Sequence, residues 1–191
     1  MSEIHPKAGR PQDAPSVKFI AAVLLGGDID FDAALSPELE QQLGRIDYRS
    51  EPHPFTVTDY YEDEMGPGLE RLIVSFEPLG EPTDLVRIKI ATARIEERLA
   101  VDGARRVNID PGYMDYFKIV LASFKEGPQK IYVGDGVYAD PVLLFQNGAF
   151  EPLPWSFPDF RAGSYTDDLM AIRRIYKSAR KMKGLAPYER K

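Results

Sequence analysis

The chain has 191 residues, a formal net charge of −6 at pH 7 and no cysteine. The lack of cysteine excludes structural disulfides, thiolate catalysis and metal sites built from cysteine ligands. The length suits one domain, and a hydrophobic fraction of 43% with a charged fraction of 28% is typical of a soluble protein. No segment has the apolar length that a membrane span needs, so the sequence predicts a cytoplasmic protein without membrane association.

The domain organisation is predicted from the two ends of the sequence. Residues 1–15 are polar and contain three prolines, which predicts a flexible N-terminal tail. Residues 16–185 are predicted to form a single α+β domain, and residues 186–191 a short basic tail. The stretch 173–191 holds eight basic residues and one acidic residue, whereas the rest of the chain is acidic. Such a basic end can contact RNA or a protein partner, or it can be a solvated helix face, which is the interpretation we favour.

The first half of the sequence alternates between strand and helix patterns. Val17–Leu25 is a short apolar run with β-branched residues, which is typical of a buried strand. Apolar residues at helical spacing follow in residues 31–43 and stop at a glycine. Residues 46–55 contain two prolines, which favours an edge strand. The other predicted elements of this half are a strand at 69–76, a helix from 82 to Gly103, and a strand at 106–109 that leads into an Asp-Pro-Gly turn at 110–112.

This order of strand, helix, strand, strand, helix and strand is the split βαβ plan of ferredoxin-like domains. Further strands are predicted at residues 117–123, 130–133 and 142–145, with a hairpin at Asn147 and Gly148. A last amphipathic helix is predicted at 166–183. We therefore expect an α+β fold: a ferredoxin-like core of mostly antiparallel sheet, extended by extra C-terminal strands and a final helix, with the helices on one face.

Four polar motifs at predicted turns contain the candidate functional residues. They lie at residues 58–66, 108–113, 134–138 and 154–159, and each has a carboxylate beside an aromatic residue and a glycine or proline. Asp, Gly and Pro fix tight turns, and turns on a rigid scaffold often carry binding groups. If the motifs gather at one rim of the fold, they form an acidic pocket lined by tyrosine. If they do not gather, they are ordinary structural turns.

The chemistry of this candidate site is predicted from oxygen donors, because the sequence has only two histidines and no phosphate-binding Gly-rich loop. Carboxylates suit Mg²⁺ or Mn²⁺, and a lysine nearby suits a phosphate. The predicted metal ligands are Asp59, Glu62, Asp110 and Asp135. The predicted catalytic residues are Asp110, Lys118 and Asp135, and the predicted ligand-binding residues are Asp59, Tyr60, Tyr113 and Tyr138.

The ordered set of motifs also resembles a known family. The chain is similar to the uncharacterised bacterial family called domain of unknown function 4416 in four runs, TDYYEDEMGPGLERLIVSFE, RRVNIDPGYM, KIYVGDGVYADPVLLF and FEPLPWSFPDFR. The likeness spans residues 18–176. It implies a soluble bacterial protein, and it assigns no activity, substrate or cofactor to any residue.

Two functional hypotheses follow. The first is binding, with or without turnover, of a phosphate-bearing small molecule at the acidic, tyrosine-lined loop site, with a divalent cation as an optional cofactor. The second is a non-catalytic interaction module whose basic C-terminal helix contacts RNA or a protein partner. A pocket that joins the motifs favours the first hypothesis, and motifs scattered over the surface favour the second.

Overall fold

The structure is a computed structural model that describes residues 14–185. Its strands are β1 (Val17–Leu25), β2 (Ile46–Arg49), β3 (His53–Pro54), β4 (Glu70–Gly80), β5 (Val107–Met114), β6 (Lys118–Ser123), β7 (Ile131–Gly134), β8 (Val137–Gln146) and β9 (Ala149–Pro152). Its helices are α1 (Ser36–Leu43), α2 (Glu62–Met65), α3 (Leu85–Leu99), α4 (Pro158–Arg161) and α5 (Thr166–Met182), with a π-helical turn (Phe31–Leu35) before α1 and a 3₁₀ turn (Pro82–Asp84) before α3. The predicted basic tail and residues 1–13 of the predicted N-terminal tail lie outside the described residues.

All nine strands belong to one antiparallel sheet. Along the sheet the order is β2, β4, β1, β5, β6, β8 and β7. Two short strands extend its edges, since β3 pairs with β4 and β9 pairs with β8. Helices pack on this sheet, and the arrangement confirms the predicted α+β class.

β1 lies in the middle of the sheet, and all nine of its residues are buried. Successive side chains of a strand point to opposite faces. Phe19, Ala21 and Val23 pack in a cluster with α1 and α3, whereas Ile20 and Ala22 pack in a second cluster with α4 and α5. The helices therefore cover both faces of the sheet. The prediction of helices on one face is wrong, because α5 returns across the second apolar face.

Residues 110–112 (Asp-Pro-Gly) lie inside β5, although their composition predicts a turn. The strand continues because Pro111 pairs with Ala21 of β1. Gly112 is required at its position, since an added Cβ would lie 2.2 Å from the backbone oxygen of Val120 on β6. Close pairing of β5 with its two neighbours thus overrides the local turn preference of this tripeptide.

Two predicted turns in the second half of the chain are confirmed. The β7–β8 hairpin turns at Asp135 and Gly136, with φ angles of 46° and 75°, and the β8–β9 hairpin turns at Asn147 and Gly148, with φ angles of 50° and 87°. Both pairs adopt the left-handed conformation that a two-residue hairpin of this kind requires. The strand β8 begins at Val137, earlier than predicted, because it pairs with β6 and β7 from that end.

The helix α5 confirms the predicted last helix. Its residues Leu169, Ile172 and Tyr176 are buried, as the helical spacing of these side chains predicts. No helix within residues 14–185 is both long enough and apolar enough to cross a membrane.

Candidate ligand-binding cleft

A cleft of about 290 Å³ opens beside α3, at the end of the sheet where β5 begins and β6 ends. Its lining consists of four cationic side chains (Lys89, Arg105, Lys125, Lys130), two carboxylates (Glu96, Asp110), four aromatic side chains (Tyr60, Tyr61, Phe124, Phe157) and the polar residues Asn108 and Ser123. Parts of the first, second and fourth motifs therefore meet here. The lining holds more cations than carboxylates, so the cleft is not the acidic pocket that the motifs predict.

Three lysine ammonium groups reach the cleft, one from α3 and two from the connection between β6 and β7. Lys89 Nζ donates a hydrogen bond to a backbone oxygen of β5 at 3.0 Å. Lys130 Nζ donates to Ser123 Oγ at 3.0 Å, and Lys125 Nζ donates to Tyr60 Oη at 3.2 Å. An ammonium group has three N–H donors, so each lysine retains donors for a ligand.

The three lysines differ in how far nearby carboxylates neutralise them. Lys130 Nζ lies 3.5 Å from Asp140 Oδ2, and Lys89 Nζ lies 3.8 Å from Asp110 Oδ1. Lys125 instead contacts the hydroxyl and the ring of a tyrosine, and it forms no ion pair in the described part of the chain. The charge of Lys125 is therefore the least compensated of the three.

Asp110 lies among cationic and amide groups. Its Oδ2 accepts hydrogen bonds from Asn108 Nδ2 at 3.0 Å and from Arg71 Nη1 at 3.4 Å. The Arg71 side chain is only 5% exposed, so its charge needs a nearby carboxylate. Asp110 therefore compensates a buried arginine through one oxygen, while its other oxygen lies on the side of Lys89.

Glu96 is the second carboxylate of the cleft, and it comes from α3. Its Oε1 accepts a hydrogen bond from the backbone N–H of Ile109 at 2.5 Å. Burial raises the pKa of the Glu96 carboxyl above its ordinary value, and the positive charge of Lys89 opposes part of that rise. The folded protein therefore holds a proton on Glu96 more tightly than an exposed carboxylate would.

Arg105 braces the wall of the cleft. Its Nε and Nη2 donate to the two oxygens of Glu64 at 2.8 and 2.6 Å, and its Nη1 donates to Asn108 Oδ1 at 3.0 Å. The hydrogen bonds with Glu64 raise the pKa of Arg105, and they lower the pKa of Glu64. Because its three nitrogens point at these partners, Arg105 fixes the first motif against β5 and leaves ligand contacts to the lysines.

A buried polar network behind the cleft includes the fourth motif. Arg71 Nε lies 3.8 Å from Asp159 Oδ2, and Tyr165 Oη donates to the same oxygen at 2.8 Å. The Arg71 guanidinium also lies over the ring of Phe55, 4.9 Å from its centroid. Burial raises the pKa of the Tyr165 hydroxyl, which therefore stays protonated and donates. Asp159 thus anchors α4 and α5 to the sheet and does not reach the cleft.

Of the predicted site residues, Tyr60 and Asp110 both line the cleft. Asp59 and Glu62 belong to the same motif as Tyr60, but both are exposed and neither lines the cleft. The first motif therefore contributes its aromatic residues to the cleft, and its carboxylates Asp59 and Glu62 face solvent.

Tyr113 and Lys118 lie at the opposite end of the sheet, where they line a separate depression of about 170 Å³. Lys118 Nζ is paired there with Asp115 Oδ2 at 2.5 Å. Tyr113 is the third residue after Asp110 along β5, so their side chains point to opposite faces of the strand. This alternation explains why one motif cannot direct both residues into one site.

Asp135 and Tyr138 also lie away from the cleft. Asp135 occupies the tip of the β7–β8 hairpin and lines a shallow depression beside α3. Tyr138 is half-buried and packs edge-on against the ring of Tyr132, with 5.4 Å between the ring centroids. The third motif is therefore a hairpin turn with an aromatic pair, and Asp140, which pairs with Lys130, lies two residues after it.

The four predicted metal ligands do not meet. Within residues 14–185, no group of three or more His, Asp or Glu side chains is arranged to hold a metal ion. Asp110 lies beside two cationic side chains, Asp135 lies at a distant turn, and Asp59 and Glu62 remain exposed. These residues therefore do not form the predicted Mg²⁺ or Mn²⁺ site.

Lys89 and Glu96 belong to the cleft, although their sequence context predicts only a helix. A signal for them exists in α3, where Lys89, Thr92 and Glu96 recur at spacings of three and four. That polar stripe adjoins Ile88 and Ile95, which are buried. Polar residues on the inner face of a helix need partners, and the cleft supplies them. The lysines after β6 carry no comparable signal, because lysines in loops are common.

The fold and the cleft define an α+β protein in which a cation-rich cleft is built on an antiparallel sheet. The family model described as domain of unknown function (DUF4416) matches residues 15–176, and the chain belongs to that family. This match confirms the resemblance found in the sequence, and the matched region contains every side chain that lines the cleft. No curated protein and no solved structure matches the chain.

Proposed function

We propose that the cleft binds a small molecule that carries a phosphate group. The observation that carries the proposal is the convergence of Lys89, Lys125 and Lys130 on one cleft of about 290 Å³. Each ammonium group retains N–H donors, and Lys125 lacks a carboxylate partner among the described residues. A bound phosphate would supply the missing negative charge and would accept these hydrogen bonds.

The surroundings of the lysines support a small-molecule site. Such sites are concave, contain aromatic side chains and place a few polar groups where they can orient a ligand. Phe124 and Phe157 supply apolar surface beside the lysines. The pairing of Arg105 with Glu64 holds one wall in place before a ligand arrives, which reduces the ordering cost of binding.

The proposed function is binding, and no group of the cleft is assigned a catalytic role. The divalent cation predicted from the sequence is not part of the proposal, because the carboxylates meant to hold it are far apart in the fold. Asp110 serves instead as a counter-charge for Arg71 and Lys89. The phosphate would therefore be held by protein cations directly.

A thermal-shift titration with inorganic phosphate and pyrophosphate, at constant ionic strength, tests the proposal. A compound that binds the native state raises the melting temperature as its concentration increases. We expect that rise in the wild type and a smaller rise in Lys125→Gln and Lys130→Gln. The matched control is Lys177→Gln, which changes an exposed lysine on α5 and should behave as the wild type. An absent rise, or an equal rise in all four proteins, would contradict phosphate binding in the cleft.

The basic helix α5 gives less support to the alternative of an RNA or protein interaction module. Arg173 lies 3.5 Å from the ring centroid of Phe145, and Arg180 lies 5.2 Å from that of Tyr116. Both arginines are buried, so they dock the helix on the sheet and do not face solvent. We therefore do not propose nucleic-acid binding, which the sequence also disfavours.

At the level of the fold, we propose that β1, α1, β2, β4, α3 and β5 form a ferredoxin-like core. The strand order β2, β4, β1, β5 supports this proposal, as does the packing of α1 and α3 in one apolar cluster. The strands β6 to β9 and the helices α4 and α5 then extend that core. A cytoplasmic location stays a prediction from composition.

A further inference from the structure

The cleft has two chemically different sides. Lys125 and Lys130 come from the connection between β6 and β7, whereas Glu96 and Asp110 come from α3 and β5. Lys89 lies between them, since its Nζ is 3.8 Å from Asp110 Oδ1 and reaches the ring of Phe124 at 5.4 Å. A ligand that fills the cleft therefore meets ammonium groups at one side and carboxylates at the other.

Each of the two carboxylates has one oxygen that accepts no hydrogen bond from a described residue, and that oxygen of Asp110 lies 3.8 Å from Lys89 Nζ. Asp110 accepts its hydrogen bonds through Oδ2, and Glu96 accepts its hydrogen bond through Oε1. In the described part of the chain, Asp110 Oδ1 and Glu96 Oε2 accept no hydrogen bond. An ionised carboxylate oxygen is an acceptor only, so it repels a second anion and attracts hydroxyl donors.

We infer that the ligand of the cleft is a phosphorylated polyol or sugar, with its phosphate at the lysines and its hydroxyl groups on Glu96 and Asp110. This inference rests on the proposed function and adds the chemical class of the ligand. The cleft volume of about 290 Å³ suits a compact molecule of this kind.

The aromatic residues do not favour a nucleotide base over a sugar. Lys125 Nζ lies over the ring of Tyr60, 5.1 Å from its centroid, and Lys89 Nζ lies over the ring of Phe124. The rings of Tyr60 and Tyr61 are also nearly perpendicular, with 5.0 Å between their centroids and an interplanar angle of 89°. The rings of Tyr60 and Phe124 therefore hold ammonium groups in place by cation–π contact, and a base stacked on either ring would have to displace them.

Calorimetric titration of the full chain with four kinds of compound tests the inference. The compounds are inorganic phosphate, a panel of phosphorylated polyols and sugars (glycerol 3-phosphate, ribose 5-phosphate and glucose 6-phosphate), their unphosphorylated forms, and adenosine monophosphate. We expect at least one panel member to bind about tenfold more tightly than inorganic phosphate, because hydrogen bonds to a carboxylate add to the phosphate contacts. The unphosphorylated forms should not bind measurably.

Several outcomes overturn the inference, and they differ in what they leave standing. If inorganic phosphate binds as tightly as every panel member, the carboxylates do not recognise hydroxyl groups, and only the phosphate site is supported. If adenosine monophosphate binds more tightly than ribose 5-phosphate, the base is recognised and the sugar class is wrong. If no phosphate compound binds, the proposed function fails together with the inference.

Variants of the carboxylates separate the two sides of the cleft. Glu96→Gln should lower the affinity for the best panel member about fivefold or more. Its affinity for inorganic phosphate should equal or exceed that of the wild type. Asp110→Asn should show the same pattern, provided that its folded fraction is verified at the titration temperature. Glu97→Gln, which changes the exposed neighbour on α3, is the matched control and should change neither affinity. A Glu96→Gln variant with unchanged affinity for every panel member would contradict the inference.

Discussion

At the scale of single residues, Lys89 connects the folded core to the cleft. It lies on the inner side of α3 beside Ile88, yet its Nζ donates to the backbone oxygen of Ile109 and lies over the ring of Phe124. A charged group in such a place is tolerated only when acceptors surround it, and Asp110 supplies a further negative charge. One side chain therefore serves helix packing and cleft electrostatics together.

Glu96 gives a prediction about pH. Burial raises its pKa above the ordinary 4.5, so the folded protein binds this proton more tightly than the unfolded chain. Its contribution to the free energy of unfolding is therefore greatest below pH 4.5 and is lost as the pH rises through the raised pKa. The Glu96→Gln variant removes this loss, so its stability should fall less between pH 4.5 and neutral pH.

Urea denaturation of the wild type and Glu96→Gln across this range is the measurement, with the exposed Glu97→Gln as control. If the free energy of unfolding of Glu96→Gln falls with pH as much as that of the wild type, or more, burial does not disfavour the ionised carboxylate.

Asp110 gives a prediction about stability. Its carboxylate accepts from Arg71 and Asn108 and lies near Lys89, so Asp110→Asn leaves a buried arginine with less compensating charge. We expect the free energy of unfolding to fall by about 1–3 kcal/mol. Asp135→Asn is the matched control, because Asn tolerates the φ of 46° at that exposed turn. Its free energy of unfolding should be within about 0.5 kcal/mol of the wild-type value. An Asp110→Asn variant that is as stable as the wild type would instead fit a carboxylate held among other acids.

The motifs of the sequence predict single site residues only in part. Tyr60 and Asp110 occur beside turn-forming residues, and both line the cleft. Tyr113 follows Asp110 by three residues and so points to the other face of β5, a consequence of the strand that a predicted turn conceals. Lys89 and Glu96 are separated from the motifs along the chain, and only tertiary packing brings them to Asp110.

At the scale of elements, α5 shows how a basic helix can be a structural one. Arg173 is 8% exposed and lies over the ring of Phe145, whereas the next residue, Arg174, is exposed. We expect Arg173→Ala to lower the free energy of unfolding by about 1–3 kcal/mol, because packing and cation–π contact are both lost. Arg174→Ala makes the same change in charge, and its free energy of unfolding should be within about 0.5 kcal/mol of the wild-type value. Equal losses in chemical denaturation would show that charge, and not packing, is the common cause.

The strand β5 shows where local sequence preferences mislead. Its Asp-Pro-Gly tripeptide has the composition of a turn, yet pairing with β1 and β6 keeps it extended. Gly112 is retained because β6 approaches too closely for a Cβ, and not because the backbone turns. By contrast, the hairpin at Asn147 and Gly148 is predicted correctly, since its left-handed φ angles depend on the two residues themselves.

At the scale of the whole molecule, the α+β class and most elements can be predicted because periodicity is a local property. Eight of the nine residues of β1 are apolar, which predicts burial on both faces, and the two apolar clusters confirm it. The placement of α5 on the second face could not be predicted in the same way. It depends on contacts between residues far apart in sequence, such as Tyr176 Oη with the backbone oxygen of Ser16 at 2.8 Å.

The layered fold also explains why the motifs are distributed among different depressions. The cleft with Asp110 lies where β5 begins and β6 ends, whereas Lys118 begins β6 at the opposite end of the sheet, so the two residues belong to different surfaces. The hairpin with Asp135 is placed beside α3 by the pairing of β7 with β8. The central claim is therefore specific: a phosphate group binds at the lysine-lined cleft and at neither of the other two places.

Nuclear magnetic resonance of the backbone amides, with inorganic phosphate added at constant ionic strength, tests this claim most directly. The account predicts saturable shift changes that are largest at Ser123, Lys125 and Lys130, where the ammonium groups and the hydroxyl converge. Lys118 and Asp135 should change little, because they line the other two depressions. Saturable changes centred on Lys118 or Asp135, or no saturable change at the cleft, would contradict the account.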